Sequence, residues 1–311
     1  MANRRIDVHH HVSPPSFIPA ITRAGFDYPA FRTWTVEQSL ADMDKGGVAT
    51  SIISLPHPVK VWEGDRAAGR GLAREWNEFS TKLAQDHPGR FGLFASLPVL
   101  DIEGSLREIE YALDTLKADG ISLMTNIGDK WLGDPHYDPI FAELDRRKAV
   151  LYTHPIAPNC CANVLPGVND SVIEFATDTS RAIARLLFGG AAAKFPNIKF
   201  IFSHSGGTMP FLVERYETAP IIDTRLADKV PAGVRHYLTR FHYDIAQAAH
   251  GGALAALTRL VAASQILFGT DFPFRTAADH AAMLAEFGFP ADDLRAIESG
   301  NAQRLMPRWK G

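Results

Sequence analysis

Arg5-Ile6-Asp7-Val8-His9-His10-His11 opens the chain, and its reading decides the fold. Successive side chains of a strand point to opposite faces, so His9 and His11 share one face and His10 takes the other. Two imidazoles at i and i+2 can converge on a single cation. Ile6 and Val8 are strand formers that flank the run with no linker, which sets it apart from a purification tag. Pro14-Pro15 close the segment soon after.

Seven further short apolar runs, at 49–55, 91–97, 120–126, 150–154, 198–203, 241–245 and 265–271, join 5–9 as expected strands. Helical patterns lie between them at 36–45, 66–86, 104–118, 139–147, 171–194, 209–218 and 252–262. Gly46-Gly47 stops the first of these, and His87-Pro88-Gly89 stops the second. Eight strands, each followed by a helix, predict an α/β fold, a (β/α)8 TIM barrel, for which about 250 residues is typical. The excess length fits a short N-terminal excursion at 13–35 and extra C-terminal helices at 291–306. The sequence holds no low-complexity linker, internal repeat or composition shift, so one domain over 1–311 is expected.

The chain has 311 residues, 46% of them hydrophobic, and a formal net charge of -3. That is ample for a large core. Near-balanced charge without a basic run argues against nucleic acid or an anionic membrane as partner. No apolar stretch reaches transmembrane length, and the N-terminus lacks the apolar run of a signal peptide. The only two cysteines, Cys160 and Cys161, are adjacent and too few for a disulfide framework. A reducing, cytoplasmic setting is expected.

Polar residues gather where the expected strands end. Strand one ends in His9 to His11, strand two in Ser54-Leu55-Pro56-His57, strand four in Thr125-Asn126 and strand five in Tyr152-Thr153-His154-Pro155. Strand six runs into Ser203-His204-Ser205-Gly206-Gly207, and strand eight into Gly269-Thr270-Asp271-Phe272-Pro273. In a barrel these ends open onto one face, where the active site sits. A lone histidine after an apolar strand is ordinarily a hydrogen-bonded loop residue, and Asp271 alone could be a helix cap. Together, His9, His11, His154, His204 and Asp271 supply imidazole and carboxylate around one point. Such a set suits Zn2+ or another divalent first-row metal with one position left open.

These motifs resemble the amidohydrolase superfamily, and within it the branch of α-amino-β-carboxymuconate-ε-semialdehyde decarboxylase. The resemblance covers nearly the whole chain. It includes Met43-Asp44-x-x-Gly47-Val48, His87-Pro88-x-Arg90-Phe91 and Asn301-Ala302-x-Arg304-Leu305. His154-Pro155-x-x-Pro158-x-Cys160-Cys161 is similar to 6-methylsalicylate decarboxylase-type members. Some hydroxybenzoate decarboxylases of the branch begin with Glu-x-His, and His9 groups this chain with the His-x-His members. The resemblance implies that His9, His11, His154 and Asp271 bind the metal, with His204 beside it. Binuclear members carry a lysine at the end of strand four. Here that strand reads Gly120 to Asn126 without one, which implies one divalent metal ion, Zn2+ by preference with Mn2+ as the alternative.

The activity implied is a metal-dependent carboxy-lyase. It would be a non-oxidative decarboxylase of a small aromatic acid of the o-hydroxybenzoate type, such as 6-methylsalicylate. The metal would chelate the acid, and Asp271 would protonate the ring carbon. A carboxylate held by a cation has a depressed pKa, so Asp271 would need its proton resupplied, with His204 as relay. The alternative on the same ligands is a metal-dependent hydrolase of a lactone, ester, amide or C–C bond. A metal-binding scaffold without catalysis is the third reading. Asn126, His57, Phe272, Trp34 and Arg215 are candidate substrate contacts, with Phe274 and Trp62 as further walls and Arg32 as a polar contact. The semialdehyde decarboxylase's substrate-gripping arginines do not map onto this chain. His10 is expected to be structural, Cys160 and Cys161 to be buried loop thiols, and His87, His136, His236, His242, His250 and His280 to have no role. The resemblance also implies a homodimer or homotetramer.

Overall fold

In the computed structural model, which describes residues 5–56 and 65–310, the first strand carries a bulge that aims its histidines. This strand is β1 (Arg5–His11), and it pairs in parallel with β2 (Val48–Ser54). Asp7 lies opposite Ser51 and His10 opposite Ile53, so three steps on β1 match two on β2. A bulge of this kind breaks the strict alternation of faces. Ile6 and Val8 therefore join the barrel interior, and His9 and His11 follow them on that side. Asp7 and His10 turn outward together, with Asp7 Oδ2 3.2 Å from His10 Nδ1.

The remaining strands are β3 (Phe91–Ser96), β4 (Gly120–Met124), β5 (Val150–His154), β6 (Lys199–Phe202), β7 (His242–Asp244) and β8 (Ile266–Leu267). All eight lie side by side in chain order, with every pairing parallel. The chain beyond β8 returns to β1. Val8 N–H donates to the Phe268 carbonyl (3.0 Å), Asp271 N–H to His9 (2.8 Å) and His11 N–H to Phe272 (2.8 Å). The fold is the expected (β/α)8 barrel.

Local chemistry explains most element ends. Thr35 and Gln38 form a capping box before Val36–Lys45, and Asp65 caps Arg66–Asp86. Two expected helices are interrupted. The pattern at 104–118 is a helix Ile102–Glu110 that widens into a π turn, Tyr111–Thr115. The pattern at 171–194 breaks at Gly189-Gly190 into Glu174–Phe188 and Ala191–Lys194, Gly190 taking φ 84°. A short hairpin after β4, Asn126–Ile127 with Lys130–Trp131, has no counterpart in the sequence reading. β8 is shorter than expected, ending at Leu267, and Gly269 just beyond it lies in a crowded spot. A Cβ there would sit 3.0 Å from Asp244 Cβ and 3.1 Å from His9 Cβ.

Val8, Ile52, Phe94, Tyr152, Ile201 and Leu267 fill the barrel, and Leu305 and Met306 of the C-terminal segment pack into the same cluster. Tyr152 stacks on Phe94 at 5.1 Å. A filled barrel is a core and not a pore, so chemistry is confined to the mouth at the strands' C-terminal ends. No helix among the described residues is long and apolar enough to cross a membrane.

Candidate metal centre

β1, β5 and the segment after β8 deliver His9, His11, His154 and Asp271 to one buried point, their ligand atoms all within 4.8 Å of one another. His9 Nε2 and His11 Nε2 are 3.2 Å apart, and Asp271 Oδ1 is 3.2 Å from the first and 3.1 Å from the second. The other nitrogen of each imidazole faces an acceptor. His9 Nδ1 meets Asp244 Oδ2 at 3.0 Å, His11 Nδ1 the Ser54 carbonyl at 3.0 Å, and His154 Nδ1 the Pro155 carbonyl at 2.8 Å. A carbonyl or carboxylate can only accept, so each Nδ1 carries a proton; with a cation bound, each Nε2 would turn its lone pair inward, and His9, which its two carboxylates otherwise hold charged, would give up its Nε2 proton to the metal.

The donor set fits a divalent cation. Asp271 Oδ1 is buried and makes no hydrogen bond, although it lies against two imidazole nitrogens. Lone pairs and a carboxylate oxygen packed this closely need positive charge between them. The electrostatics agree. Burial pulls the His9 imidazole down, but the Asp244 and Asp271 carboxylates outweigh it and push it up to about 10. Burial, with His9 beside it, holds His11 below its ordinary value against the pull of Asp271. Burial, with His11 and His9 as neighbours, holds His154 well below, so both stay neutral and ready to ligate. Burial works to raise Asp271, but the charge on His9, the His11 imidazole against Oδ1 and the His204 contact at Oδ2 hold it well below the usual carboxylate range.

Backbone strain concentrates at the same place. His204, Ser205, Gln247 and Asp271 all adopt left-handed φ values between 51° and 64°. Such conformations persist in non-glycine residues only where the surroundings impose them. After β6 the chain turns sharply through Gly206 and Gly207, and a Cβ on Gly207 would lie 2.0 Å from the Ala176 carbonyl oxygen. The turn sets His204 Nε2 3.4 Å from Asp271 Oδ2, the oxygen turned away from the histidine pair.

Three supporting residues escape the sequence reading. Asp244 Oδ1 accepts from the backbone N–H of His204 and of Ala246, both at 3.0 Å, while its Oδ2 holds His9. It ends β7, the strand end whose polar residue drew no attention, and that position was its signal. Asp7 accepts from Thr270 N (3.1 Å), Thr270 Oγ1 (2.7 Å) and His9 N (3.0 Å), stitching β1 to the Asp271 segment. The Gln247 side-chain amide donates to Asp271 Oδ2, and its backbone N–H donates to His280 Nε2 (2.8 Å). His280, given no role from sequence, therefore braces the residue that clamps Asp271.

A cavity of about 550 Å³ opens above the quartet. Tyr28, Phe175, Phe274 and Ala248 form apolar wall, His204, Gln247 and His250 are polar, and no lysine or arginine lines it among the described residues. Phe274 is placed as expected, and His250 is a further histidine with a position the sequence did not assign. Five of the other expected contacts do not line the cavity. Asn126 Nδ2 donates to the Ile156 carbonyl and to Asp178 Oδ2, both at 2.8 Å, so its amide fastens the hairpin and lies outside the cavity wall. Trp34 Nε1 donates to Ser39 Oγ at 2.9 Å. Phe272 stacks on His10 at 4.6 Å, on the outward face of β1. Arg215 is exposed on the helix Met209–Ile222, and Arg32 pairs with exposed Asp27. None of these four lines the cavity. His57 and Trp62 lie outside the described residues. His10 is structural, as expected, held by Asp7, Ser39 Oγ (3.0 Å) and Phe272. Cys160 is exposed and Cys161 partly so, contrary to the buried pair expected.

Asp244→Asn keeps the size of the side chain but removes the charge that orients His9. We expect metal affinity to fall about 10- to 100-fold. A competition titration with a chromophoric chelator measures it, and unchanged affinity would show that Asp244 does not tune the centre.

The ligand quartet on a (β/α)8 frame agrees with comparison to known proteins. A profile of the family Amidohydro_2, described as amidohydrolase, matches residues 6–308, and the chain belongs to this family. It is 35% identical over 319 residues to a 6-methylsalicylic acid decarboxylase of Penicillium expansum, covering 99% of this chain and 97% of that one. It is 34% identical over 324 residues to decarboxylase macB of Penicillium terrestre, covering 98% and 96%. A dihydroxybenzoic acid decarboxylase from Polaromonas sp. JS666, solved with bound manganese and the inhibitor 2-nitroresorcinol, superposes with a TM-score of 0.84. That structure is 23% identical and covers 99% of this chain and 98% of its own, a likeness of fold.

Proposed function

We propose that the protein is a metal-dependent, non-oxidative decarboxylase of an o-hydroxybenzoate-type acid such as 6-methylsalicylate. The observation that carries this reading is the quartet at the floor of an aromatic-walled cavity without a cationic side chain among the described residues. An aromatic acid entering it would find apolar surface for its ring and, among the described residues, positive charge at a cation held by the quartet. The whole-length identity to a 6-methylsalicylic acid decarboxylase supports the same substrate class.

A divalent cation held by His9, His11, His154 and Asp271 would fix the carboxylate and its ortho oxygen and draw negative charge toward them. The chain's own residues handle the proton. Asp271 is ionised at rest, so it must gain a proton before it can protonate a ring carbon. His204 lines the cavity, 3.4 Å from Asp271 Oδ2, and is placed to pass that proton in. Gln247 holds the same oxygen in position until then.

We assign the metal as Zn2+, which three imidazoles and one carboxylate suit; the manganese in the Polaromonas structure supports Mn2+ as the alternative. A homodimer or homotetramer is proposed on the exposed Phe211, Ile221 and Ile222 of the helix Met209–Ile222. A monomer in sedimentation equilibrium would overturn it. Free Cys160 and Cys161 support a cytoplasmic setting.

The reading is tested by supplying salicylate, 6-methylsalicylate, orsellinate and dihydroxybenzoates and following CO2 release. Turnover of at least one is expected. Turnover of lactones or amides, with none of the acids decarboxylated, would overturn it in favour of a hydrolase.

A further inference from the structure

The loop that follows the metal ligand His154 holds two thiols for which the centre has no use. Cys160 and Cys161 lie in a single 3-10 turn, Asn159–Cys161, with their Sγ atoms 3.0 Å apart. A small shift separates this contact from an S–S bond of about 2.05 Å. Adjacent Cα atoms across a trans peptide lie about 3.8 Å apart, less than the roughly 4.4–6.8 Å of relaxed disulfides. Like any disulfide, a bond closed here needs a two-electron oxidant to form, and because it is strained it reopens readily under a thiol reductant.

The same loop builds the wall of the cavity. Asn169, Ser171, Val172 and Phe175 line it, and Asn163 N–H donates to Asp170 Oδ1 at 2.9 Å, tying the thiol end to the wall end. Asn163 follows the thiols closely and sits at φ 57°, a strained position where the chain can change direction. A change at the sulfurs is therefore mechanically linked to the cavity rim.

We propose that Cys160 and Cys161 are a redox site that hydrogen peroxide closes to a vicinal disulfide, resetting the loop that walls the cavity. Cys160, the more exposed thiol, reacts first. Its sulfur attacks one peroxide oxygen, the O–O bond breaks, and the departing hydroxide takes up a proton to leave as water. The sulfenic acid left on Cys160 is then attacked by the Cys161 sulfur. The S–O bond breaks, the S–S bond forms, and hydroxide leaves with the Cys161 proton as a second water. Two thiols and one peroxide give one disulfide and two waters, the peroxide accepting the two electrons. The hydrogen bond to Cys160 raises the Cys161 thiol, which keeps its proton until that second step.

The site does not rest on the decarboxylase reading, and its test needs no turnover. The metal-loaded protein is treated with one equivalent of hydrogen peroxide, denatured, alkylated and digested with trypsin. The peptide 149–181 is expected to lose two hydrogens and both alkylation sites, and to regain them after dithiothreitol. Cys160→Ser and Cys161→Ser should each abolish the loss. Amide exchange across 162–175 should differ between the oxidised and reduced proteins. Full alkylation of both thiols after peroxide, independent sulfinic oxidation of each, or identical exchange in the two states would overturn the proposal.

Discussion

Asp271→Asn is expected to lower kcat by about 10³-fold or more while the barrel stays folded. Asparagine matches the shape of aspartate and can still accept from Gln247 and lie against His204, so packing changes little. Two properties go. The buried Oδ1 that closes the quartet loses its charge, and no group remains at that position that can take a proton from His204 and give it to carbon. A general acid alone contributes about 10²- to 10⁴-fold, and loss of a ligand adds to that. The comparison is made at equal metal occupancy, measured by elemental analysis, so that the proton role is read separately from the ligand role. A variant within about tenfold of the parent at full occupancy would remove Asp271 from the proton path.

His154→Ala is expected to abolish tight metal binding and, with it, nearly all activity. His154 supplies one of three imidazoles, sits on the strand opposite the His9–His11 pair, and stays neutral because burial and its two neighbours hold its pKa well below the ordinary value. Alanine leaves two imidazoles and one carboxylate, together with a hole in the floor of the cavity. Binding to the folded state alone stabilises by about 4 kcal/mol when free metal exceeds Kd by a thousandfold. The parent should therefore melt at a higher temperature with metal than after chelation, and His154→Ala should melt at one temperature in both conditions. Retention of a stoichiometric metal and of the metal-dependent shift would show that the centre is built from other residues.

Much of this was legible in the chain before any coordinates. His9 and His11 share a face because strand geometry demands it, and the strand-end positions of His154, His204 and Asp271 follow from the barrel pattern. The supporting residues were harder to read. Asp7 and Val8 exchange faces because of a one-residue bulge, and nothing in the local sequence marks where a bulge falls. Asp244 had a strand-end position as its signal, but its partner His9, and the partners of Gln247 and His280, lie in segments far apart in the chain and are visible only in the folded barrel. Three of the expected substrate contacts sit away from the cavity for a related reason. Trp34, Phe272 and Asn126 lie near the mouth in sequence, but each is committed to a neighbour that packs it away from the cavity. Proximity to a strand end gives the layer of a side chain, not its direction. The two broken helices were misread because π turns and paired glycines interrupt a periodicity that continues through them.

One metal, held by His9, His11, His154 and Asp271, is what we propose makes this protein a decarboxylase. The most direct measurement follows CO2 from 6-methylsalicylate with the chelator-stripped protein, then with the same sample given one equivalent of Zn2+ or Mn2+, in D2O. The account predicts no CO2 from the stripped protein and release restored in proportion to metal bound. The product should carry a single deuterium at the vacated ring carbon. Undiminished CO2 release without metal, or no release from a fully loaded protein across the panel of aromatic acids, would contradict it.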